Sequence, residues 1–161
     1  MIGVKVKTNT LEVNNFLTNI SRKQTSAIKK SLNRVSNMAV EMVTTRTQKG
    51  RLPDGGTFEP YTKKTKQIRK DKGRQTAFVD LTDSGRMFRS LDFRQRGFKN
   101  TLFFANKERE KIAFRHDFLG VGKRKTKRPF FSIGNKEEEK LKNEFSKFYF
   151  SQLKISAKER I

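Results

Sequence analysis

The chain has 161 residues, 33% hydrophobic and 34% charged, and its 38 Lys and Arg against 16 Asp and Glu leave a net charge of +22. It holds no cysteine, one histidine and 15 phenylalanines. The composition excludes a disulfide framework, thiolate chemistry and a cysteine zinc site, and it points to a polyanionic partner, because each Lys or Arg that meets a phosphate releases a condensed counterion.

This length suits a single structural domain over 1–161. The phenylalanines supply most of an otherwise thin core. No run of about 18 apolar residues occurs, so no membrane partner is expected. The opening MIGVKVKTNT lacks the apolar stretch and cleavage site of a secretion signal.

In chain order, Ile2 to Lys7 alternate apolar and basic residues, the period-2 pattern of a short strand. Asn9 and Thr10 are cap candidates, and Asn9 with Glu12 has capping-box spacing. From Val13 to Val43 apolar residues recur in steps of three and four, which predicts a long amphipathic helix. Its basic side carries Arg22, Lys23, Lys29, Lys30 and Arg34, and the polar stretch Ser21 to Ser26 is a place for it to bend or break.

RLPDGGTFEPYT reads as a tight exposed turn within an extended loop at about 50–80, with one or two helical turns between Thr62 and Lys72. DLTDSGRMFRSL predicts a turn and a short helix capped by Thr82 or Asp83, with Met87, Phe88 and Leu91 inward. Phe93 and Thr101 to Ala105 predict a hairpin turning at Gly97 to Asn100. Ile112 to Phe118 and Pro129 to Ile133 are further strand candidates. Asn135 is expected to cap a last helix that has Glu137, Glu138 and Glu139 in its first turn and Leu141, Phe145, Phe148, Tyr149 and Leu153 as its stripe. The fold class is therefore α+β: a long N-terminal helix and a C-terminal helix on a small, mainly antiparallel sheet, with long extended loops.

Catalytic chemistry finds little to work with. His116 stands alone, which is too few for a His-based metal site or a Ser-His-Asp array. The carboxylates do not suggest a two-metal nuclease, and Gly55 and Gly56 lack the GK[ST] ending of a phosphate loop. No enzyme, cofactor or metal is expected. What remains is two cationic runs: Lys63, Lys64, Lys66, Arg69, Lys70, Lys72 and Arg74, then Lys123, Arg124, Lys125, Lys127 and Arg128. Residues 111–134 hold seven Lys and Arg against one acid. Neither run is interleaved with aromatics, so backbone contact with duplex DNA fits better than stacking on a single strand.

The order of these motifs resembles the phage virion morphogenesis family, the tail-completion proteins of Mu-like and related tailed phages. Asp54, Gly55, Phe58, Pro60, Tyr61 and Thr65 fall on its D-G-x-x-W-x-P-L-x-x-x-T pattern, with Phe for Trp and Tyr for Leu. Leu81, Asp83, Ser84, Gly85, Met87, Ser90 and Leu91 follow L-x-D-T-G-x-L-x-x-S-[IL]. His116, Asp117, Phe118 and Gly120 are similar to its I-H-x-F-G stretch with one extra residue, and Arg128, Pro129, Phe130 and Phe131 match R-P-F-[LF] ahead of the acidic helix start. The likeness runs from residue 11 to about 150.

The resemblance implies a structural virion protein, made in the host cytoplasm, that forms a six-fold homo-oligomeric ring at the head–tail neck or tail terminus. Its partners would be neighbouring neck and tail proteins and, non-specifically, the duplex DNA in the channel, with the cationic runs facing either that DNA or an acidic patch on a neighbouring virion protein. From the charge alone the competing reading is a stand-alone basic duplex-binding protein, monomeric or dimeric, with salt-sensitive affinity.

Overall fold

The computed structural model describes residues 10–158, and side chains from 11 to 153. The strand expected at Ile2 to Lys7 and the cap expected at Asn9 lie outside them. The described chain is α+β: five α-helices and one two-stranded antiparallel sheet.

Helix α1 spans Thr10–Gln48 without a break at Ser21 to Ser26. It contains no Gly or Pro, and the Ser and Thr residues cost only tenths of a kcal/mol each, too little to interrupt it. It ends at Gly50, whose positive φ of 74° lets Gly50 N–H and Arg51 N–H donate back to the carbonyls of Thr47 and Arg46, at 2.9 and 3.0 Å. Small residues Ala27, Ser31, Ser36 and Ala39 form its most buried positions along the middle, where other elements approach closely.

Strands β1 (Leu91–Arg96) and β2 (Lys99–Phe104) form the hairpin, turning through Gly97 and Phe98 alone. The turn is thus two residues long, tighter than the expected Gly97 to Asn100. Leu91, Phe93, Gln95, Asn100, Leu102 and Phe104 form one face, which packs on α1. Asn100 Nδ2 donates to Ser36 Oγ at 2.8 Å and to Asn33 Oδ1 at 3.2 Å, and Gln95 Nε2 donates to the Lys29 carbonyl at 3.3 Å.

Helix α2 (Lys63–Asp71) is capped by Thr62, whose Oγ1 accepts from Thr65 N–H at 3.2 Å. The 50–80 segment is therefore not one extended loop. Helix α3 (Arg86–Arg89) begins at Gly85, φ 69°, with no side-chain cap, so neither Thr82 nor Asp83 plays the part expected of it. The inward set Met87, Phe88 and Leu91 is buried as expected.

Ile112 to Phe118 is helical, not a strand: α4 (Lys107–Phe114) runs into a π-turn over Arg115–Leu119. Asn106 starts it by accepting from Glu108 N–H and Arg109 N–H at 3.0 and 3.1 Å, with Glu108 and Glu110 favoured in the first turn by the helix dipole. Pro129 to Ile133 has no strand partner either. Side chains take the place of a ladder there: Asp117 Oδ1 accepts from Phe130 N–H and Phe131 N–H at 2.7 and 2.9 Å, and Arg46 Nη2 donates to the carbonyls of Phe130 and Ser132 at 2.6 and 2.9 Å.

Helix α5 (Asn135–Lys158) packs antiparallel along α1. Arg46 pairs with Glu137 near one end, and further along Arg34 reaches Glu144 at 4.0 Å and lies over the Phe148 ring at 5.0 Å. The cap is Gly134 rather than Asn135: Glu137 Oε2 accepts from Gly134 N–H at 3.0 Å, the returning half of a capping box.

The core gathers at the carboxyl end of α1. Val43, Phe58, Val79, Met87, Phe88, Leu91, Phe104, Ala113 and Phe130 are buried together, with the rings of Phe88 and Phe130 edge to face at 5.8 Å.

Candidate nucleic-acid interface

The first cationic run lies on α2 and the turn after it, not on a free loop. Lys63, Lys64, Lys66 and Lys70 are exposed, while Arg69 is buried at 7% exposure. Its guanidinium donates from Nε to the Gln75 carbonyl, from Nη1 to the Thr82 carbonyl, and from Nη2 to both oxygens of Asp80, all between 2.9 and 3.0 Å. Arg74 pairs with Asp83, which also lies 3.8 Å from Lys72 Nζ. Arg69 therefore holds the fold, and Arg74 and Lys72 are partly neutralised, against the reading that all seven are free to meet a partner.

The second run forms a small hairpin. Val121 and Thr126 exchange backbone hydrogen bonds at 3.0 and 3.2 Å, lifting Lys123, Arg124 and Lys125 to an exposed tip. Gly120 makes this possible, since a Cβ there would sit 2.0 Å from the Lys125 carbonyl oxygen. Lys127 is exposed, but Arg128 is 6% exposed and, like Arg69, belongs to the fold rather than to a partner.

Tyr61 joins the two runs. The Arg69 guanidinium lies over its ring at 4.7 Å and that of Arg128 at 5.7 Å, while Tyr61 Oη donates to Asp80 Oδ1 at 3.1 Å. Burial and the Asp80 charge raise the Tyr61 pKa, and burial lowers that of Arg128. The buried arginines thus act as roots, and Lys63, Lys64, Lys66, Lys70, Lys123, Arg124, Lys125 and Lys127 are, with Lys72 set aside for its Asp83 neighbour, the exposed cations above them. None of those eight makes an ion pair with a described residue.

Several other residues singled out from the sequence make local contacts. Asp54 Oδ1 accepts from Gly56 N–H at 2.9 Å within the turn, and Ser90 Oγ donates to the Met87 carbonyl at 2.7 Å. Phe58 and Phe130 are buried in the core, whereas Pro60 and Pro129 are exposed. His116 sits in the π-turn, and its carbonyl accepts from Arg128 N–H at 2.7 Å. Burial, with the Arg128 charge beside it, pushes its imidazole down to about 4. Among the described residues no three His, Cys, Asp or Glu are grouped to hold a metal ion, and no described helix is long and apolar enough to cross a membrane.

Beside the basic hairpin the π-turn leaves Phe114, Phe118 and Leu119 half exposed, the two rings 5.2 Å apart. Sequence reasoning counted Phe114 and Phe118 as strand residues, because a π-turn has no simple periodic signature. It also passed over Arg46 and gave Asp117 no role beyond its place in a motif, because their ties to the 130–132 backbone are visible only in three dimensions. The chain matches no protein-family model, no curated protein and no solved structure.

Proposed function

We propose that the chain is a structural virion protein of the head–tail neck or tail terminus of a tailed phage, assembling as a ring around the DNA channel and joining head to tail. The observation that carries the reading is the pair of cationic segments rooted on Tyr61, in which eight of the nine exposed Lys and Arg, all but Lys72, have no acidic partner among the described residues. A passing duplex supplies the missing counter-charge through its phosphates, without base reading and without any bond made or broken.

Assembly draws support from the apolar side chains left at the surface. Phe114, Phe118 and Leu119 beside the hairpin, with Leu11, Val13 and Leu17 on the first turns of α1, make more exposed apolar surface than a solitary basic chain has use for. The ordered likeness of the motifs between Asp54 and Glu139 adds the neck and tail as the setting.

Protein composition of purified particles tests the proposal. The chain is expected at a fixed copy number per joined particle, and replacing Lys123, Arg124 and Lys125 with Glu should impair genome retention. Joined particles that lack the chain would refute it. The second reading, a stand-alone duplex-binding protein, rests on the same eight cations and differs by requiring no ring.

A further inference from the structure

We propose that the outer face of the β1–β2 hairpin is a separate duplex-DNA surface, in which the two-stranded ribbon enters the major groove and Arg94, Arg96 and Lys99 meet phosphates or guanine edges. This surface shares no residue with the two cationic runs, and the inference holds whether the chain acts in a ring or alone.

The register makes the face. Arg94 stands opposite Thr101, Arg96 opposite Lys99 and Asp92 opposite Phe103, all turned away from the side that packs on α1. Arg94, Arg96, Lys99, Thr101 and Phe103 line an open cavity of about 370 Å³. The three cations make no ion pair with a described residue. Asp92, the one acid on that face, has its Oδ1 taken by Phe93 N–H at 2.7 Å.

Rigidity and shape favour duplex DNA as the occupant. The Arg94 guanidinium lies over the Phe103 ring at 4.9 Å, which orients its donor fork before any partner arrives. Asn100 and Gln95 lock the ribbon to α1 from behind. Two strands about 4.8 Å apart with their side chains suit a major groove roughly 12 Å wide, a groove known to admit a two-stranded ribbon. At the tip, Gly97 adopts a positive φ of 59° and presents Phe98, which is 60% exposed and stands where a ribbon in a groove would press an apolar ring on sugar or thymine methyl.

The test is duplex affinity of the full chain across a salt series, read by anisotropy of a short labelled duplex. Arg94→Ala/Arg96→Ala/Lys99→Ala should reduce the slope of log K against log salt by about 2 to 3, near 0.9 for each phosphate that is no longer neutralised. Lys136→Ala/Lys140→Ala/Lys147→Ala removes the same charge from exposed positions of α5 and should leave the slope nearly unchanged. Phe98→Ala should weaken binding several-fold at unchanged slope. If the triple variant does not fold, Arg96→Ala alone should still lower the slope by about 0.9. Equal slopes for the hairpin and α5 variants overturn the proposal, as does a hairpin effect seen with single-stranded but not duplex DNA. Neither result bears on ring formation, so the failure of this inference and that of the neck reading are separable.

Discussion

Arg69 and Asp80 form a buried ion pair in which one guanidinium nitrogen is shared by both carboxylate oxygens, at 2.9 and 3.0 Å. Their side chains are 9% and 12% exposed, and Tyr61 lies against one partner and donates to the other. The pair anchors the end of α2 to the segment that leads into α3.

Removing one member leaves the other charged and enclosed, which costs about 3 to 5 kcal/mol. Asp80→Ala is therefore expected to lower the urea midpoint by that equivalent. Arg69→Lys should lose most of it too, because an ammonium cannot reproduce the contacts to Gln75, Thr82 and Asp80 at once. The salt slope of duplex binding by the folded Arg69 variant should match that of the unaltered chain.

Phe130 is fully buried against Phe88, and its backbone is held by Asp117 and Arg46. Phe130→Ala is expected to destabilise the protein by about 3 to 5 kcal/mol in equilibrium unfolding, the range for emptying a large aromatic site. Phe98→Ala, at the exposed hairpin tip, should change stability by less than about 0.5 kcal/mol.

The hairpin carrying Lys123 to Lys125 depends on Gly120. Gly120→Ala would set a methyl carbon against the Lys125 carbonyl at a φ of 82°, so the hairpin must open or shift. Limited trypsin digestion should then cut at 123–127 much faster. At Gly122 an added Cβ meets nothing, and Gly122→Ala should show only the left-handed backbone cost of about 1 kcal/mol.

How legible this was in the sequence varies by element. Helix α1, the main hairpin and α5 announce themselves through periodicity, because each buries one face over many residues. Ile112 to Phe118 misleads, since alternating Ile112, Phe114 and His116 imitate a strand while the cap that decides the matter, Asn106 with Glu108, lies upstream. Pro129 to Ile133 misleads for another reason: its extended chain is satisfied by side chains of Arg46 and Asp117, distant in sequence. Within the cationic runs, Arg69 and Arg128 look like their neighbours. Their burial, with the Tyr61 ring packed against both, separates anchoring charge from free charge.

His116, buried beside Arg128, is expected to make stability depend on pH. Its folded pKa of about 4 lies below the usual 6.5, so between those values the unfolded chain binds more protons and stability rises with pH. The contribution is fully present above pH 6.5 and is lost as pH falls towards 4, up to about 3 kcal/mol. From pH 7 to 4 the unfolding free energy of the unaltered chain should fall relative to that of His116→Gln by that amount.

The central claim is that the chain works by assembling around a polyanion. Sedimentation of the full chain with and without duplexes of increasing length tests it most directly. A closed oligomer of fixed copy number, unchanged as the duplex lengthens, is the predicted result. Monomers that stay solitary without DNA and coat it in proportion to its length would contradict the claim.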